Sequence, residues 1–252
     1  MSTLTPNTES NLDQKFKEYT EAMQKYLNYR GYKGFELLVS ILIVTLQAIS
    51  LFNLIYSSHN SSYSYLIPSL IIAYILTDFI NGLVHMYMDN NTHYSSVVGP
   101  FIAAFHLHHA KYSYQINHPL KVYFDGSGTK FWLLVYLFLL VGIQSTFSLN
   151  TPFNTVLVAF GIFSSFAELS HYWCHNATEK NKLLLWLQKH HILLSKEHHK
   201  AHHQFDNVQY AFLNGVTDPL INLIARYCFK GYKNDADKHT SAYIQGRDNN
   251  IQ

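Results

Sequence analysis

The chain has 252 residues, of which 48% are hydrophobic, 15% aromatic and only 13% charged, with a formal net charge of +2. Charged residues at about half the usual share exclude a disordered chain, a charged coiled coil and a protein held to nucleic acid by bulk charge. Two cysteines, Cys174 and Cys228, exclude a disulfide framework or a Cys-rich zinc module, whereas sixteen histidines are an unusual number.

In chain order, residues 1–34 form a polar N-terminal segment carrying Lys15, Lys17, Lys25, Arg30 and Lys33, with no apolar stretch of the kind a cleavable signal peptide needs. Four apolar blocks follow: Phe35–Tyr56, Tyr65–Met88, Phe131–Leu149 and Phe153–Trp173. Each has about the 20-residue length with which a helix crosses the hydrocarbon core. The expected fold is therefore all-α, an integral membrane protein with about four transmembrane helices. The loops near 57–64 and 150–152 contain no Lys or Arg, so all 18 basic residues fall on one side of such a topology. The positive-inside rule makes that side cytoplasmic, together with both termini. Lys180–Leu194 and Val208–Phe229 read as helices lying on the cytoplasmic face, the second with turn signals at Asn214–Gly215 and Asp218–Pro219. Residues 35–230 thus form the membrane domain, and 231–252 a polar C-terminal tail.

Fourteen of the sixteen histidines, all but His59 and His239, lie within 85–118 and 171–203. Residues four apart on a helix are offset by only about 40°. The second block therefore carries Asp78, Asn81, His85 and Asp89 along one polar stripe, and the fourth carries Ser164, Glu168, His171 and His175. Polar groups inside a bilayer are costly and face partners in the protein interior. In HHKAHH, the pairs His198/His202 and His199/His203 share about 140° of a helix, with Lys200 and Ala201 opposite. FHLHHA brings His106, His108 and His109 together, with His118 ahead of Pro119. Cys174 is about 100° from His175 and is a poorer co-ligand than His171.

Lone histidines are ordinarily solvated or hydrogen-bonded within a core. Four histidine-bearing elements on one face instead indicate a metal centre. A structural zinc site takes four ligands and often thiolates, leaving most of these imidazoles unexplained; two metal ions account for them better. Imidazole suits Zn, Cu, Fe and Ni, so spacing alone does not name the metal. Oxidative attack on a lipid chain, hydroxylation of a fatty acid or sterol, and divalent-metal transport or sensing all stand open at this point.

GLVHMYMDN, the HH-x8-HP arrangement ending at His118–Pro119, HYWCH and QKHHILLSKEHHKAHH resemble the Kua/CarF family over about residues 75–230. That family includes the plasmanylethanolamine desaturases and, more distantly, a plant plastidial phosphatidylglycerol desaturase that makes a trans double bond. The resemblance implies a lipid desaturase with two Fe ions, O2 as co-substrate and an external electron donor, cytochrome b5 or a ferredoxin-like protein. It implies an endoplasmic-reticulum location in a eukaryote, or the inner membrane in a bacterium. The family's eight-histidine pattern corresponds to His85, His108, His109, His171, His175, His199, His202 and His203, with Asp89 matching its aspartate. His118, His191 and His198 resemble further histidines of the animal branch and complete the implied metal-ligand set. His85, Asp89, His171 and His175 are the implied catalytic residues. Carboxylates such as Asp89 or Glu168 would orient imidazoles, or Asp89 would bind iron itself. Met86 replaces the usual tryptophan, and the connection to Asn214–Gly215 is about one residue shorter; both departures bear on substrate choice. Because the chain has no haem-attachment, iron–sulfur or dinucleotide motif, the electrons must come from outside. The implied product is a plasmalogen, with the vinyl-ether bond in the sn-1 alkyl chain of an ether phospholipid; acyl-chain desaturation is the nearest alternative.

Overall fold

The computed structural model describes residues 6–58, 63–110, 118–125, 130–205 and 207–228, with the side chains of 6–10, 108–110 and 205 excepted. The described residues are all-helical, as expected. Two helices are long and apolar enough to cross a membrane, Arg30–Ser57 (α2, after the N-terminal helix α1, Pro6–Asn28) and Leu66–Asn90 (α3) with its leading turn. The third apolar block forms only Phe131–Thr146 (α6, after α4, Gly99–Ala110, and α5, Pro119–Asp125). Its 16 residues rise about 24 Å. The fourth block is broken: Thr151–Ser164 (α7) and Ala167–Asn176 (α8) meet at a 42° bend. If that pair is one span, the count of long apolar spans is three.

Local sequence explains these ends. The Asn150 side chain accepts from Phe153 N at 2.9 Å, and Pro152 lies in the first turn, where its missing N–H costs nothing, so α7 starts cleanly. At the bend, the Ser165 hydroxyl donates to Ile162 O at 2.7 Å. Such a bond back to a helix carbonyl is a common companion of a bend.

Small residues let α3 and α7 approach. Ala73 of α3 packs with Ala159 and Phe160, backed by Trp132 and Tyr136 of α6. Val39 and Ile43 of α2 interlock with Leu133, Leu137 and Leu140 of α6 and Val158 of α7. Gln144 ties these layers with polar bonds to Ser50 O (3.1 Å) and Asn154 Oδ1 (2.9 Å). The polar N-terminal segment packs by one face of α1, with Tyr19, Ala22 and Met23 against Tyr94, Ile102 and Ala103.

The C-terminal stretches contain Lys182–Lys189 (α9), Lys196–Phe205 (α10) and Asp218–Cys228 (α11). Only the second half of the expected 208–229 helix is helical. Residues 207–217 instead run as a non-helical strap over α3, α8 and α10. Gly82 permits the approach, because a Cβ there would lie 2.4 Å from Ile221 Cδ1 and 3.4 Å from Ala211 Cα. Residues 231–252 lie outside the described residues, as do His59 and His239.

Candidate metal centre

Helical periodicity delivers the first part of the site. His171 and His175 are one turn apart on α8, and His199 and His203 one turn apart on α10. Their Nε2 atoms converge: 2.9 Å between His171 and His199, 3.2 Å between His171 and His175, 3.0 Å between His175 and His199, and 3.0 Å between His199 and His203. All are buried except the half-buried His175. A ring nitrogen is either a donor or an acceptor, never both. Protons therefore cannot join all three edges of the His171–His175–His199 triangle, whereas a cation among the nitrogens satisfies every one. For metal–nitrogen bonds of about 2.1 Å, ligand separations are roughly 3.0 Å at right angles and roughly 3.4 Å at tetrahedral angles. Three of the four separations lie at the first value and the His171–His175 distance lies midway between the two. Burial, reinforced by His175, His203, His202 and His85, holds the His199 pKa well below the ordinary imidazole range. The neutral ring is the form that ligates metal.

A second group adjoins the first. Asp89 Oδ2 lies 3.0 Å from His85 Nε2 and 3.1 Å from His202 Nε2, with all three side chains fully buried. The opposite ring nitrogens fix the tautomers. His85 Nδ1 donates to Tyr210 O at 2.7 Å, and His202 Nδ1 donates to Val208 O at 2.8 Å. A neutral ring with its proton on Nδ1 presents a lone pair at Nε2, here directed at a carboxylate oxygen. Three electron-rich atoms so arranged suit a bound cation. The orienting partners of His85 and His202 are thus backbone carbonyls, and Asp89 stands on the ligand side. The two groups are neighbours: the His85 ring centroid is 5.8 Å from that of His171, and the His202 centroid 5.5 Å from that of His199. Phe212 lies against both sets, 4.0 Å from His85 and 4.4 Å from His171, the latter nearly coplanar in stacking.

The remaining candidates fall elsewhere. His198 leaves its helical partner His202 and bonds Asp218 Oδ2 at 2.6 Å, so it serves the base of the strap. His118 is exposed and accepts from Leu120 N at 3.3 Å, at the start of α5. His191 is exposed in a turn with φ 55°. None of the three joins either group. The side chains of His108 and His109 lie outside the described residues. His106 is a buried structural histidine, with Nε2 donating to Met88 O at 2.7 Å and Nδ1 accepting from Tyr94 at 2.6 Å. The Cys174 thiol points away, toward Leu194 O at 3.5 Å.

One narrow cavity reaches the site from the His85 side. It is lined by His85, Asn81, Phe212, Ala167, Lys130 and Glu168, among others, and at about 20 Å³ it admits a water molecule or two. Lys130 is 4% exposed; its ammonium donates to Tyr123 O at 2.7 Å and lies over the Tyr123 ring. Burial lowers its pKa to about 8, partly countered by Glu168 and Glu36.

The sequence places Asp78 on the polar stripe of α3, but neither its role as an anchor nor the strap it holds is legible there. Asp78, fully buried on α3, accepts from Leu213 N (3.2 Å), Asn214 N (2.9 Å), Gly215 N (3.1 Å) and Thr217 N (3.0 Å), and from the Thr217 hydroxyl (2.6 Å). An ionisable residue within an apolar span was the available signal.

The family profile described as a lipid desaturase domain matches residues 74–228, which includes both groups, the cavity and the strap. No curated protein and no solved structure matches the chain.

Proposed function

The chain belongs to the lipid desaturase family, and from that premise we propose that it is an oxygen-dependent di-iron enzyme introducing the vinyl-ether double bond into the sn-1 alkyl chain of an ether phospholipid. The observation that carries this reading is the meeting of His171, His175, His199 and His203 in one group beside His85, Asp89 and His202 in another. These seven side chains would hold the two ions. The assignment of iron rests on the family, since imidazole donors suit several metals. The chemistry a bound iron pair supplies is reduction of O2 to two waters, with two electrons from the donor and two from the adjacent C–H bonds that become the double bond.

The chain's own residues do the rest. The carbonyls of Val208 and Tyr210 hold the His202 and His85 rings in the ligating tautomer. Phe212 covers the inner faces of His85 and His171 and excludes water there. The cavity gives oxygen a route to the His85 side, and the substrate chain must widen it to enter.

Residues 35–230 form the membrane domain in this reading, with spans at α2, α3, α6 and the α7–α8 pair, and with both termini cytoplasmic. Exposed apolar side chains on α2 (Leu38, Ile41, Phe52, Ile55) and α6 (Phe138, Leu139) support lipid contact. The absence of Lys and Arg from 57–64 and 150–152 supports the orientation. The ligands come from the last turns of α3, from α8 and from α10, toward one end of the apolar spans, which supports oxidation near the lipid headgroup and a headgroup-proximal bond. The membrane is the endoplasmic reticulum in a eukaryote or the inner membrane in a bacterium. Exposed Lys180, Lys182, Lys189 and Lys196 suit an acidic donor of the cytochrome b5 or ferredoxin type.

The test is expression in cells that lack vinyl-ether lipids and receive the saturated ether precursor. Acid-labile plasmalogen is expected with the wild type and none with His171→Ala. A purified protein without iron, or conversion without oxygen, defeats the reading; label from O2 retained in the lipid identifies a hydroxylase instead.

A further inference from the structure

We propose that Asp78 is a positioning residue for one of the two metal positions: it anchors the strap whose Val208 and Tyr210 carbonyls aim His202 and His85 at Asp89. The inference rests on the metal reading above and adds an asymmetry between its halves. Asp78 sits on α3 two turns before His85, is fully buried, and belongs to neither ligand group. Its two oxygens instead gather four backbone N–H groups and one hydroxyl between Leu213 and Thr217. A carboxylate accepts at every lone pair, so it satisfies a run of donors that no neutral side chain of this size could.

The other end of the strap is fixed as well. Asn222 of α11 accepts from Gln209 N at 2.8 Å, and Gln209 adopts the left-handed conformation at φ 59° between the two residues whose carbonyls matter. Asp218 accepts from Ala211 N at 2.9 Å while bonding His198. Both ends therefore over-determine the direction of Val208 O and Tyr210 O, which sustains the strained backbone at Gln209. His85 and His202 bond this strap through Nδ1, 125 and 6 residues away in sequence. The Nε2 atoms of His171, His175, His199 and His203 are brought together by α8 and α10, and the strap meets that group through Phe212, whose ring stacks on His171 and whose carbonyl accepts from Ser170 at 2.7 Å.

Asp78→Asn keeps the volume but turns one acceptor into an N–H donor facing the strap's own N–H groups. The expected result is a protein loaded with Fe2+ alone that holds half the wild-type metal per chain by elemental analysis. Loaded with Co2+, it should show the absorption of the nitrogen-rich group only. Thr217→Val, a milder cut at the same carboxylate, should weaken the same ion by about 10–100-fold and leave the other at wild-type affinity. His175→Ala should remove the complementary ion, so that the two one-metal proteins differ in Co2+ spectrum. Wild-type binding of both ions by Asp78→Asn and Thr217→Val overturns the proposal. So does equal weakening of both ions, because the carboxylate would then serve the whole fold. A wild type that takes up no Fe2+ under the same conditions defeats the metal reading itself, and this inference with it.

Discussion

His171, His175, His199 and His203 come from two helices, each supplying a pair one turn apart, whereas His85 and His202 beside Asp89 have their rings directed by bonds to a non-helical strap. The first group resists local loosening, since helix geometry fixes its ligands wherever α8 and α10 pack. The second is set by tertiary bonds and is the half that faces the cavity. A site built this way has one ion seated by secondary structure and another whose seating responds to what touches the strap. Binding and access are thus divided between the halves.

The most severe way to break the comparison is at His199. Its Nε2 lies within 3.0 Å of those of His171, His175 and His203, and its ring is 5.5 Å from His202. It belongs to the first group yet borders the second. His199→Ala should therefore abolish desaturation and remove the helix-held ion, measured as plasmalogen formed in cells and iron per purified chain. Iron content at the wild-type level would show that the four-nitrogen group does not seat an ion.

Much of both groups was legible in the sequence, because the rule that joins residues four apart on a helix needs no knowledge of the rest of the fold. Asn81, His85 and Asp89, then His171 and His175, then His199 and His203 all follow from it. The division into two groups was not legible, since it depends on how α3, α8 and α10 meet. Nor was the role of Val208 and Tyr210: every residue has a carbonyl, and nothing in the side chains says which one will face a histidine 125 residues away. The break between α7 and α8 was hidden for a similar reason. Ser164 and Ser165 carry no proline or glycine signal, so the fourth block reads as one continuous span. Family resemblance added His118 and His191 by position in a motif, and both resemblance and the four-residue rule offered His198, which bonds Asp218 instead; neither tells a ligating imidazole from one that turns elsewhere.

A second, smaller perturbation sharpens the division between binding and access. Ala167 lines the cavity at 7% exposure together with His85 and Phe212, packs with Phe212, and supplies no metal-binding atom. Ala167→Leu places extra carbon atoms in a space that admits a water or two, while both ligand groups keep their donors. Iron content should be unchanged and kcat/KM for the lipid should fall about tenfold, the equivalent of ~1.4 kcal/mol in the barrier. An unaltered rate in a variant of normal iron content would mean that oxygen and substrate arrive by another face.

The smallest effects are expected at the three histidines that join neither group, and they should not be equal. His118 and His191 are exposed, one at the start of α5 and one in the turn after α9, so His118→Ala and His191→Ala should leave iron content and rate within about twofold of the wild type, as surface substitutions do within roughly 0.5 kcal/mol. His198 differs because its 2.6 Å bond holds Asp218, which in turn holds Ala211 N beside the Tyr210 carbonyl. His198→Ala should therefore loosen the strap-held ion alone, seen as slower iron uptake in the second equivalent, with the helix-held ion untouched. A loss at His118 or His191 as large as at His198 would mean that those exposed rings turn inward when metal or lipid is bound. The ranking thus tests whether distance from the strap, and not resemblance to a histidine motif, decides which imidazoles matter.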